Sequence, residues 1–173
     1  MIASKQQLER VLNGCVPQST IDDIVARGFL TAPASTKYHG NHEGGLFEHS
    51  CKVAFYLRKF TATMGLQWEN KNSPLLVGMF HDICKIDQYK IDSETGMYTH
   101  NTDTLLTGHG DKSVQILSQY MRLTEEEVMC IRYHMGAFTD KEEWRYYTRA
   151  VHKYPNVLWT HTADMMASHV EGV

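Results

Sequence analysis

No two of the four cysteines in this 173-residue chain stand close enough to make a C-x-x-C pair. Cys15, Cys51, Cys84 and Cys130 are widely spaced, which argues against a zinc knuckle or a disulfide framework and for reduced thiols in a cytosolic compartment. Long apolar runs are missing too. The longest falls far short of the roughly 20 residues that span a bilayer, and the opening MIASKQQLERVLNG has no apolar signal core. The expectation is a soluble, cytoplasmic protein with no membrane partner. Strong charge bias is also absent: the net charge is -3 with histidine neutral, so no footprint for a long polyanion is visible. There is no internal repeat, low-complexity tract or linker, and the length suits one domain, 1–173, around a single core.

What the chain has in excess is histidine, ten residues in all, and that shifts expectation toward metal sites. Apolar residues recur at helical spacing through most of the sequence. Helices are expected over Ser4 to Asn13, Thr20 to Ala26 and Leu46 to Met64, with a glycine-rich loop, KYHGNHEGG, before the third. Ser73-Pro74 offers a cap and a first-turn proline for a helix that carries His81-Asp82. YKIDSETGMYTHN alternates and breaks at Thr95-Gly96, which suggests a short β-hairpin around 89–101. Gly108 opens a helix to about Tyr120, and Thr124 with Glu127 forms a capping box leading to His134. Asp140 and Pro155 begin the last two helices, the final one reaching about Val170. The fold class is all-α, a helical bundle with room for one small hairpin.

Within this frame one pair is out of place. His81-Asp82 lies in the apolar run LLVGMFHDICKI, and a buried carboxylate without a partner costs about several kcal/mol. His49 falls on the inner stripe of the long helix, and Asp164 lies in the nearly apolar LWTHTADMMASHV. Taken singly, each has a plainer reading: a core histidine bonded to a carbonyl, or a buried acid bonded to backbone or to a lysine. Together they form an imidazole and carboxylate set suited to a borderline or hard divalent cation.

The order H…HD…D, set in GGLFEHSCKVA, LLVGMFHDICKI and TADMMAS, resembles the HD-domain metal-dependent phosphohydrolases, over about 38–168. By that resemblance His49, His81, Asp82 and Asp164 are ligands of a first metal. His109 in TGHGDKSV and His134 in IRYHMG fit the dinuclear type, in which the dyad aspartate bridges to a second. Cys84 departs from the glycine usual in HDIGK, a change expected to narrow access and to leave the ligands untouched. The resemblance implies two divalent ions (Mn, Fe, Co, Ni or Mg, not a sulfur-held zinc) and hydrolysis of a phosphoester by a metal-activated hydroxide. Asp82 and Lys85 are then the catalytic candidates. Lys85 is placed one turn after His81, with a surface lysine as its plainer reading.

His42, Lys112 and Arg132 are candidate substrate contacts, though a solvated loop position for the first and surface or capping positions for the others are the commoner readings. Tyr98, Trp144, Tyr146 and Tyr147 could stack a base, and His161, one turn before Asp164, is the best decoy ligand. The motif context looks like the HD domain of 3′→5′ exoribonucleases. The low charge and lack of residues left over for a nucleic-acid domain favour instead a nucleotide, cyclic nucleotide or short oligonucleotide. Two other classes share the ligand pattern: a diiron HD-type oxygenase, and a metal-bound regulatory module without turnover.

Overall fold

A computed structural model describes residues 3–106 and 108–173. The elements run α1 (Lys5–Leu12), α2 (Gln18–Ala26), α3 (Gly45–Met64), α4 (Ser73–Phe80), α5 (Lys85–Gln88), β1 (Tyr89–Ile91), β2 (Tyr98–His100), α6 (His109–Leu117), α7 (Glu125–Arg132), α8 (Trp144–Lys153) and α9 (Asn156–Met165). A π-helical turn, Met166–Val170, continues α9. The architecture is the all-α bundle expected from the periodicity. The hairpin is antiparallel, pairing Tyr89 with His100 and Ile91 with Tyr98. Its turn is held by Asp92 Oδ1, which accepts from the Glu94 and Thr95 amides.

Local chemistry sets the helix ends. Ser4 caps α1 and Thr124 caps α7, each through a reciprocal capping box, with Gln7 and Glu127 as the returning side chains. Pro74 sits in the first turn of α4, where its missing N–H is not needed. In α8 the structure differs from expectation. A 3₁₀ turn, Lys141–Glu143, precedes the helix, and the Asp140 side chain makes no capping bond. Lys141 and Glu142 are exposed, so packing does not draw them into the α8 spiral.

The core is assembled around α3, which packs on α4 and α9, with α7 against α4, α6 and α9. Phe29, Leu46, Leu57, Phe80, Ile83 and Ile131 are fully buried in it. Two close approaches bring the conspicuous polar residues together. A Cβ on Gly78 of α4 would overlap the Ala54 backbone of α3, so the two helices meet where only glycine fits. A Cβ on Gly110 of α6 would likewise overlap the Arg132 carbonyl at the end of α7. The first contact draws His81 toward His49, and the second draws His109 toward His134. Among the described residues no helix is long and apolar enough to cross a membrane.

Candidate metal centre

The His81-Asp82 pair does not ride on a regular helix. After Phe80 the chain tightens into i→i+3 bonding: Ile83 N–H donates to Phe80 O, Lys85 N–H to Asp82 O and Ile86 N–H to Ile83 O. The turn ejects both side chains toward the middle of the bundle. It also sets Lys85 three residues from Asp82 rather than over His81, and Lys85 Nζ lies 2.6 Å from Asp82 Oδ2.

Around Asp82 the histidines and carboxylates singled out from the sequence come together. His81 Nε2 lies 3.4 Å and His49 Nε2 3.7 Å from Asp82 Oδ2. On the other oxygen, His134 Nε2 lies 3.3 Å and His109 Nδ1 3.7 Å from Oδ1. Asp164 Oδ1 is 3.2 Å from His49 Nε2, and the His49 and His81 Nε2 atoms are 3.3 Å apart. His49, His81, Asp82 and His134 are buried, and the His109 side chain is a quarter exposed.

Backbone carbonyls orient three of the rings. His49 Nδ1 donates to Val173 O at 2.8 Å, His81 Nδ1 to Gly78 O at 3.0 Å and His134 Nδ1 to Ile131 O at 2.7 Å. A carbonyl only accepts, so in the neutral ring the proton sits on Nδ1 and the Nε2 lone pair points inward. This is the tautomer that metal-ligating histidines adopt, with the outer nitrogen tied down. Burial pushes His81 below its usual pKa and His109 down to about 4, so both present lone pairs at neutral pH. Burial also opposes charging of His134, but the facing Asp82 carboxylate more than cancels it and raises the affinity of that nitrogen for a proton. Desolvation works against ionised Asp82 and Asp164 as well. The Lys85 ammonium foremost holds Asp82 well below the ordinary carboxylate range, and a proton on the facing imidazoles, His49 first, does the same for Asp164.

The donor set fits a cation. Inward lone pairs and two carboxylates converge, with Lys85 as their one close ammonium among the described residues. Asp82 Oδ1 and His134 Nε2, both buried, find no hydrogen-bond partner among the described residues. Groups of such atoms within 4.8 Å of one another comprise His49, His81 and Asp82; His81, His134 and Asp164; and Asp82, Cys84 and His109.

A cavity of about 320 Å³ opens onto this cluster, with Asp82, Lys85, His109 and Asp164 in its wall. His42 does not reach it. That side chain is half exposed and turned toward Glu48, at 3.5 Å. Its loop neighbour His39 takes the place, its ring 4.9 Å from that of His49 and its Nε2 buried without a hydrogen-bond partner among the described residues. Burial brings His39 down to about 4, so it is neutral. Lys112 is buried and ion-paired with Asp87. Arg132 is clamped by Asp111 at 2.9 Å and Glu143 at 3.2 Å, and borders a separate cleft shared with His109. Each expected cation has found an acid on a neighbouring element.

Of the aromatics considered, Tyr98, Trp144, Tyr146 and Tyr147 lie off the cavity wall, while Tyr38, Tyr89 and Phe138 line it. A sequence signal for Tyr38 and Phe138 exists only as bulky aromatics close to glycines, near the segments that carry His49 and His134. His161 Nδ1 donates to His134 O at 2.9 Å. It holds the backbone of His134, whose ring faces Asp82. His161→Ala is therefore expected to lower metal affinity about 10-fold, the scale of a supporting contact, with Asp164→Ala costing considerably more. Competition titrations against a chelator measure both, and equal losses would make His161 a direct ligand.

The HD domain, as a family profile, matches residues 46–163. The match covers more than half of the chain, which belongs to the HD-domain family. HD domains are generally metal-dependent hydrolases that bind divalent cations, and this chain keeps His and Asp groups able to hold one. No curated protein and no solved structure matches it.

Proposed function

We propose that this chain is a dinuclear metal-dependent phosphohydrolase acting on a small phosphoester that carries a base: a nucleotide, a cyclic nucleotide or a short oligonucleotide. One observation carries the two-cation part. The oxygens of Asp82 face different imidazoles, Oδ2 toward His49 and His81 and Oδ1 toward His134 and His109. A carboxylate so placed has one oxygen for each of two cations, with Asp164 beside His49 completing the first set.

Divalent ions held there supply positive charge against phosphoryl oxygens and acidify water. The chain's own groups do the rest. Lys85 fixes Asp82 through Oδ2 and, lining the cavity, sets an ammonium within reach of an anion bound there. The carbonyls of Val173, Gly78 and Ile131 keep the imidazoles turned inward. His39 is neutral and presents its unpartnered Nε2 beside His49, where it can meet a substrate hydroxyl or phosphate oxygen. Tyr38 and Phe138, 83% and 64% exposed, give the cavity a hydrophobic aromatic wall for a planar base.

The cavity also supports small substrates over a long strand. Lys85 is the one lysine or arginine in its wall among the described residues, because Lys112 and Arg132 are taken up by acids. Binding that relies on few cations falls only modestly with salt, whereas a track neutralising six or more phosphates loses about a thousandfold or more. Initial rates on a panel of nucleotides, cyclic dinucleotides and short oligomers are expected to exceed those on an RNA of about 20 nucleotides, with a shallow salt slope. Faster and strongly salt-sensitive decay of the long RNA would instead identify an exoribonuclease.

A further inference from the structure

Cys84 stands two residues after Asp82 in the tightened turn, fully buried, with its N–H donated to Ser113 Oγ. Its Sγ lies 3.1 Å from His109 Nδ1. That sulfur, that nitrogen and an Asp82 oxygen all fall within 4.8 Å of one another. We propose that Cys84 is a thiolate ligand of the second cation, which is then held by sulfur, nitrogen and oxygen and selected for thiophilic character. The inference rests on the two-cation reading and changes what that site prefers.

The orientation of His109 is the first support. His49, His81 and His134 commit Nδ1 to carbonyls and turn Nε2 inward. His109 turns Nδ1 inward and onto the sulfur, so the side chain it pairs with is Cys84. The second support is Asp82 Oδ1, buried, aimed at the same point and without a hydrogen bond among the described residues. A hydrogen bond from the thiol to His109 accounts for one of these contacts. It leaves Oδ1 facing a nitrogen lone pair with no donor between them. The thiol has one proton, and Gln88 Oε1, 3.4 Å away, is a further acceptor for it.

A cation between the three atoms satisfies all of them. On ligation the S–H bond breaks, a sulfur–metal bond forms and the proton leaves to solvent, so uptake releases one proton at this residue. Thiolate among nitrogen and oxygen donors favours Zn, Co or Fe over Mg and Mn. The cysteine that replaces glycine in HDIGK is then a change of donor set rather than a narrowing of access.

Cobalt(II) tests this by its near-ultraviolet sulfur-to-metal charge-transfer band, which is independent of turnover. Titrated into the metal-stripped full chain, cobalt should produce the band with one of two bound equivalents. Cys84→Ser should lose the band and bind that equivalent about 10-fold or more weakly, with Mg binding changed little. Cys51→Ser should keep the band. If Cys84→Ser does not fold, by circular dichroism, Cys84→Ala and the wild-type spectrum carry the comparison. Two equivalents bound without the band, or a band that survives loss of Cys84, overturns the sulfur ligand and leaves the two-cation reading standing. One equivalent bound, with a band that Cys84→Ser removes, supports the sulfur ligand and retires the two-cation reading.

Discussion

Asp82→Ala is expected to reduce phosphoester turnover by at least about a hundred- to a thousandfold, the scale seen when a charge-stabilising group is removed from a preorganised site. Both oxygens of this carboxylate are engaged, one facing His134 and His109 and the other facing His49, His81 and Lys85. Its loss removes a carboxylate whose two oxygens address both halves of the cluster. It also strands the Lys85 ammonium, which is 5% exposed and has Asp82 as its close acid. Breaking a buried pair from one side costs about 3–5 kcal/mol, so the melting temperature should drop even in the presence of chelator. Asp82→Asn separates the two effects: it keeps the shape, loses the charge and should fold better than alanine while remaining inactive. Retained turnover in either variant on any phosphoester would end the proposed mechanism.

Metal content should show the second large effect. Purified protein is expected to carry close to two divalent equivalents per chain, falling to about one in His134→Ala. Chelation should abolish activity and lower the melting temperature, because a ligand at a thousand times its dissociation constant stabilises the fold by about 4 kcal/mol. Elemental analysis and calorimetry read these together. A stoichiometry near one in the wild type, unchanged by His134→Ala or His109→Ala, would remove the second site.

Much of the fold can be read from short-range chemistry. Ser4, Thr124, Pro74 and Gly65 act within a turn or two of their own positions, and the elements they bound stand where the periodicity puts them. Choices made by tertiary contact were not legible. His39 and His42 share one glycine-rich loop, and only the packing of that loop against α3 decides which ring turns inward. Lys112 and Arg132 look available in sequence, yet Asp87 and Glu143 reach them from elements that adjoin only in the folded chain. Lys85 was placed over His81 by α-helical spacing, and the i→i+3 turn moved it to Asp82. Cys84 reads from the sequence as a narrowing of access, because nothing nearby announces His109, 25 residues away.

The hydrogen bond from His49 to the Val173 carbonyl spans 124 residues. With the His49–Asp164 contact beside it, it closes one of the longest loops in the molecule. Such contacts carry the largest loop-closure entropy and form late in folding, after local helices and hairpins. The inward tautomer of His49 is thus imposed by one of the last contacts to form. In the folded chain that ring is oriented from α9 and the residues after it, so loosening this end is expected to weaken the grip of the cluster on a cation. Cation affinity is therefore expected to follow completed tertiary closure rather than helix content, which metal binding and circular dichroism recorded across one denaturant titration would read.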